Sequence, residues 1–181
     1  MKLGMTVLRA ILGSVLFAHG AQKLFGWFGG HGLKATGDTF ESIGLRPGRR
    51  TALLAGASEA GGGAFLAAGL LTPLASAALI GVMDQAVRTV HLDKGLFVTN
   101  GGYEYNLLIA AAAFAVAETG PGPWSLDAKL GLRMSGPLWA LGALGAGLAG
   151  PRLIAQLAPH DEPQPAPTPE PAPSAAEATA A

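Results

Sequence analysis

Five apolar segments recur along this chain, and their lengths constrain its fold more than any other feature. Residues 6–24 supply about the ~20 residues a helix needs to cross a ~30 Å hydrocarbon layer. Residues 52–71 form a second such segment, and only Thr72-Pro73 separates it from a third at 74–90, which predicts a tight antiparallel hairpin of helices. A fourth runs over 103–117. The fifth, 137–157, has an apolar part that stops at Pro151-Arg152, so a re-entrant or interfacial segment is its rival reading. The fold class expected is an all-α membrane protein: an antiparallel four-helix transmembrane bundle with an additional fifth C-terminal helix. The four-helix domain is placed at 1–135 and the additional helix at 136–158. Residues 159–181, rich in Pro, Ala and Glu, read as a disordered tail.

Composition agrees with that class. Half the residues are hydrophobic, 13% are charged, 27 are glycine, and small residues such as Gly56, Gly61, Gly62, Gly63, Ala67 and Ala68 in the second segment suit close packing of membrane helices. Lys+Arg and Asp+Glu balance at 12 each, and no basic stretch is interleaved with aromatics, so nucleic acid is excluded as a partner; the lipid bilayer is the partner expected. The chain has no Cys, which excludes a disulfide, a thiolate nucleophile and an iron–sulfur site. Any redox role therefore needs a bound cofactor or a partner. The run from Lys2 to Ala18 has the outline of a signal peptide, but it continues through Gln22-Lys23-Leu24-Phe25 and further apolar segments follow.

Within these segments the polar residues stand out, because a charged side chain at membrane depth costs roughly 2.5 to 3.5 kcal/mol unless it finds a partner or water. His19, Gln22 and Lys23 close the first segment. Counted from the turn at Thr72-Pro73, Glu59 of the second segment and Asp84, Gln85 and Arg88 of the third fall at matching depth, roughly 17 to 23 Å away. Glu104 and Asn106 open the fourth segment on the same side. Asp84, Arg88 and His91 share one stripe of a helix, and His19 and Lys23 are one turn apart. The expectation is one intramembrane polar layer in which Lys23 and Arg88 are neutralised by Glu59, Asp84 or Glu104. Arg9 and Lys23, near opposite ends of the first segment, also read as interfacial anchors that snorkel. The competing structural explanation is a network that only fixes helix register.

The intervening loop has turn signals at Gly29-Gly30-His31-Gly32 and Arg46-Pro47-Gly48, a short amphipathic helix over 34–44, and Trp27 and Phe28 suited to headgroup level. His31, among glycines, reads as solvated. Cations number eight on the side of the first and third loops (Lys23, Lys34, Arg46, Arg49, Arg50, Arg88, Lys94, Arg152) and four on the other (Lys2, Arg9, Lys129, Arg133), which puts those two loops in the cytoplasm. Haem is disfavoured, since His19 with His91 is the only pair of axial ligands on offer. No metal site is expected, because the layer lacks a second buried His and contains cations.

Five motifs carry a family resemblance: Arg9-Ala10-Ile11-Leu12-Gly13, His19-Gly20-Ala21-Gln22-Lys23-Leu24-Phe25-Gly26, Gly56-Ala57-Ser58-Glu59-Ala60-Gly61-Gly62, Gly102-Tyr103-Glu104-Tyr105, and Gly120-Pro121-Gly122-Pro123-Trp124-Ser125-Leu126-Asp127. In order and spacing, over about residues 8–127, the chain resembles the DoxX-like membrane proteins. The resemblance implies a four-helix membrane bundle. It also implies kinship with a subunit of a thiosulfate:quinone oxidoreductase, with quinone resistance, and with membrane oxidoreductase complexes containing superoxide dismutase and a sulfurtransferase. By motif, Arg9, His19, Lys23, Glu59 and Glu104 carry over. The functional expectation is an integral subunit of a quinone- or thiol-linked redox system in oxidative-stress defence, with soluble redox enzymes as partners and His19 and Lys23 offering protons to a quinone carbonyl. Its rivals are a small proton-linked transporter and a non-catalytic scaffold that recruits soluble enzymes through the first loop and the tail. Substrate, electron partner and oligomeric state are not written in the sequence.

Overall fold

The structure, a computed structural model, describes residues 3–157, so the expected C-terminal tail lies outside the described residues. All regular structure among them is helical: α1 (Leu3–Phe25), α2 (Gly32–Ser42), α3 (Gly48–Ala68), α4 (Thr72–Ala86), α5 (Glu104–Thr119), α6 (Leu126–Lys129) and α7 (Pro137–Leu157). The all-α class holds. Two boundaries differ from expectation. The hairpin turn sits at Gly69, Leu70 and Leu71 rather than Thr72-Pro73, because Pro73 is accommodated in the first turn of α4, where its missing N–H costs nothing. The third segment stops being α-helical at Ala86 and continues as a π-turn over Val87–His91.

α1 packs against α3, α3 against α4, and α4 against α5, each antiparallel to its predecessor. Leu16 of α1, Leu66 of α3, Leu79 and Met83 of α4, and Ile109 and Val116 of α5 meet in one buried cluster. α7 adds to the outside of α4 and α5 through Ala140 and Ala143 against Ala77 and Ala117. It runs parallel to α4, since Gly147 lies beside Ile80 and Pro151 beside Gly81.

The seams are made of the smallest residues. A Cβ added at Gly13 would come 2.9 Å from the Ala67 Cα, and one at Gly20 would come 2.7 Å from the Ala60 Cα, so α1 and α3 approach backbone to backbone. Such contact is how helices associate where no water drives them together. Of the expected packing glycines, Gly56, Gly62 and Gly63 are buried, whereas Gly61 is exposed with nothing near its side-chain position. The larger apolar residues point outward instead: Ile11 is 62% exposed, Leu74 63%, Leu108 67% and Leu138 86%. Polar groups inside the seams are paired, as in Ser76 Oγ donating to the Ala113 carbonyl at 2.9 Å. By length and composition α1 alone among the described helices is long and apolar enough to cross a membrane.

α2 crosses the α1 and α3 ends as the short helix expected there. Its exposed Lys34 donates to Asp38 at 2.9 Å, and that hydrogen bond together with the carboxylate charge holds the Lys34 pKa above its ordinary value.

Candidate functional site

The expected polar residues separate into distinct groups. Lys23 of α1 and Glu59 of α3 form an ion pair at 2.5 Å; the Glu59 side chain is 6% exposed and that of Lys23 25%. Their meeting follows from the glycine seam. Gly20 fits against Gly56 and Ala60, which carries Lys23, one turn on, to the level of Gly56 and within reach of Glu59. His19 lies one turn before Lys23 on an exposed face and has no hydrogen-bond partner among the described residues. Gln22 donates to the Phe28 carbonyl at 3.1 Å and pins the first loop back onto α1. Phe28 itself has a left-handed backbone, φ 52°, and remains exposed beside Trp27 and Phe25.

The second group lies where α4 meets α7. Arg88 Nε donates to Asp84 at 3.1 Å and its Nη2 reaches the other carboxylate oxygen, the i, i+4 geometry of one helix face. Arg152 of α7 stands 3.7 Å from the same Asp84 oxygen. The expected neutralisation of Lys23 and Arg88 therefore occurs, but in two separate pairs, and Glu104 takes part in neither. The Glu104 carboxylate instead accepts the Val98 backbone N–H at 2.7 Å and fastens the third loop. His91 is likewise a loop fastener: its Nδ1 donates to the Gly101 carbonyl at 2.6 Å, which fixes the proton on that nitrogen. Asn106 reaches the Met83 sulfur at 3.5 Å inside the bundle.

Arg9 requires the clearest correction. It neither snorkels nor joins the polar layer, but is 3% exposed at the opposite end of the bundle. Its guanidinium donates to the Leu66 and Ala67 carbonyls at the α3 C-terminus, to Pro121 at 2.8 Å, and to Trp124. Beside it Asp127, 2% exposed, accepts from the Leu71 N–H at 2.8 Å and from the Thr72 N–H and hydroxyl at 3.1 and 2.7 Å. Asp127 thus caps α4, while its own N–H donates to the Gly69 carbonyl at 2.8 Å. Gly69 closes α3 with φ 65°, and a Cβ there would sit 2.5 Å from that of Ser125. Arg9 and Asp127 together clamp the α3–α4 turn to the segment after α5. Asp127 and Thr72 were absent from the candidates, although a carboxylate in a Pro/Gly-rich loop and a helix opening on Thr-Pro with no cap of its own were visible signals.

No buried side-chain nitrogen or oxygen among the described residues lacks a partner. Two clefts open on the surface. The larger, about 720 Å³, runs between α1 and α5 past Val7, Ile11, Val15, Leu108 and Ala112; the smaller, about 300 Å³, lies between α3 and α4 near Leu54, Phe65 and Leu74. Both are lined by apolar residues, and neither includes His19, Glu59 or Arg88. Among the described residues no group of three His, Asp or Glu side chains is arranged to hold a metal ion.

Residues 4–92 match the family model described as DoxX, a family of membrane proteins. The match takes in α1 to α4 and the π-turn, with Arg9, Lys23, Glu59, Asp84 and Arg88, while α5 to α7 lie beyond it. No curated protein and no solved structure matches the chain.

Proposed function

We propose, on the premise that residues 4–92 match the DoxX family model, that this chain is a multi-pass membrane subunit of a quinone- or thiol-linked redox system. The polar site assigned to that role is the Lys23–Glu59 pair with His19 beside it. Support for several membrane crossings comes from the inverted surface, with glycine and alanine in the seams and leucine and isoleucine outside. Exposed apolar surface of this kind marks a face that contacts a membrane or a protein. α4 continued through its π-turn, and α7, are long enough to join α1 and α3 across the hydrocarbon layer. The cation excess places the first and third loops in the cytoplasm. In that arrangement 1–135 is the four-helix domain and 136–158 the added helix.

The observation that carries the functional reading is the ion pair itself: a carboxylate almost wholly enclosed, held by an ammonium that is still a quarter exposed. The open side of Lys23 can donate a hydrogen bond to a ligand carbonyl while the ion pair with Glu59 holds the ammonium in place, and His19 can relay a proton from the exposed face. Electrons would come from a soluble redox enzyme. The purified protein in detergent, titrated with a short-chain quinone, is expected to bind saturably, with Lys23→Ala and Glu59→Gln each weakening binding at least tenfold. Wild-type protein that binds no quinone would sink the quinone reading.

A scaffold role has one observation in its favour: Phe25, Trp27 and Phe28 are exposed together, with ring centroids 5.1 and 6.4 Å apart. If they recruit a soluble partner, Trp27→Ser with Phe28→Ser abolishes its co-purification and leaves quinone binding intact.

A further inference from the structure

We propose that the junction of α4 and α7 is a binding site for the phosphate headgroup of an anionic phospholipid. The inference rests on the multi-pass reading given above. At this junction two guanidinium groups, Arg88 and Arg152, share one carboxylate, Asp84, which leaves a net charge of +1. The Asp84 side chain is 18% exposed, against 32% for Arg88 and 50% for Arg152, so the carboxylate is recessed and both cations face outward. Of the neighbouring titratable groups, Glu104 is engaged with the Val98 N–H, His91 with the Gly101 carbonyl and Glu59 with Lys23, while the exposed Asp93 and Lys94 of the next turn offset one another in charge.

Arg88 spends Nε and Nη2 on Asp84 and Arg152 spends Nη1 on the Leu148 carbonyl, which leaves Arg88 Nη1 and the Arg152 Nε and Nη2 edge, a fork of two parallel N–H donors, for phosphate oxygens. Apolar surroundings point to a lipid as the source of that phosphate. Leu148, Leu153 and Ile154 of α7 are exposed beside Arg152, and Val90 is exposed beyond Arg88. A phosphate held by the two arginines would have its acyl chains against these side chains, whereas a free phosphate would gain nothing from them. The site also sits at the end of the bundle that carries Lys23, Arg49 and Arg50, where basic groups near an anionic leaflet each add about 1 kcal/mol, or about fivefold, to lipid attraction. Arg152 lies outside the stretch matched to the family, so the site is a property of this chain's own seventh helix.

The test reconstitutes the full-length protein into nanodiscs of phosphatidylcholine with a minor share of phosphatidylglycerol and counts the lipids retained by native mass spectrometry. Phosphatidylglycerol is expected to be retained preferentially. Arg88→Gln and Arg152→Gln should each reduce the preference about fivefold, the double variant should abolish it, and Asp84→Asn should raise it. Arg152→Lys, keeping the charge without the fork, should retain part of the preference, and an unchanged thermal unfolding profile shows that the variants fold. Equal retention of the two lipids, or full preference in the double variant, would overturn the proposal. So would inorganic phosphate binding the lipid-free protein at these arginines as tightly as it displaces phosphatidylglycerol, since the occupant would then be a free anion. A chain that does not enter the nanodisc at all contradicts the multi-pass reading; one that enters and shows no preference contradicts this site alone.

Discussion

Glu59 and Asp127 show two uses of an enclosed carboxylate, and single substitutions separate them. Glu59 is satisfied by one cation, Lys23, so Lys23→Ala leaves a buried charge without its partner. That change is expected to destabilise the protein by about 3 kcal/mol or more, while Glu59→Gln, which removes the charge itself, costs less. The double variant should recover part of the loss, and chemical denaturation in detergent measures all three. Asp127 instead accepts three hydrogen bonds from Leu71 and Thr72, and holds Leu71 in a left-handed conformation, φ 46°, that a leucine adopts only under constraint. Asp127→Ala is expected to cost about 2 to 4 kcal/mol by the same measurement, with no effect on quinone binding, because it lies at the other end of the bundle from Lys23. That Lys23 and Glu59 share a level was legible from depth along two helices, but which of Glu59, Asp84 and Glu104 faces Lys23 was not. Nor was the clamp, because Arg9 and Asp127 are separated by most of the chain and, the Thr72 hydroxyl apart, their hydrogen-bond partners are backbone atoms, which leave little residue-type signal.

Helices in this protein meet through glycine and alanine, so element-scale changes act by steric exclusion. Gly20→Val would drive a branched side chain into the α3 backbone and is expected to destabilise by about 3 kcal/mol or more. Gly61→Ala, at an open position of the same kind of helix, should be neutral or slightly stabilising, since alanine favours the helix by about 1 kcal/mol over glycine. Thermal unfolding of the two variants side by side checks the contrast. α7 has a related device. Pro151 leaves the Gly147 carbonyl without a helical N–H, and a Cβ at Gly81 would come 3.0 Å from that oxygen, so α4 offers a glycine where α7 exposes a carbonyl. The span of α7 was visible in the sequence even though Pro151 and Arg152 interrupt its apolar run. The break after Ala86 was not, since Val87 to His91 has no proline or glycine to announce a change of helical pitch.

Over the whole molecule, surface and interior have exchanged the roles they have in a water-soluble bundle. Exposed leucines surround seams of small residues and paired polar groups, with cations and loops at the two ends. Segment length and apolar content made the all-α class and the order of the long helices readable from the sequence. The division of the polar layer into an α1–α3 pair and an α4–α7 pair was not readable, because depth fixes a residue's level but leaves open which neighbour it faces. The central claim is that α1, α3, α4, α5 and α7 cross the bilayer with the first and third loops on one side. Because the chain contains no cysteine, single reporters can be added without background. In sealed membrane vesicles, Gly29→Cys and Gly95→Cys should react with an impermeant thiol reagent from the cytoplasmic face, Gly131→Cys only from the opposite face, and Leu74→Cys and Leu108→Cys from neither. Labelling of Gly29, Gly95 and Gly131 reporters from the same face, or ready labelling of Leu74 and Leu108 reporters from the aqueous phase, would contradict the account.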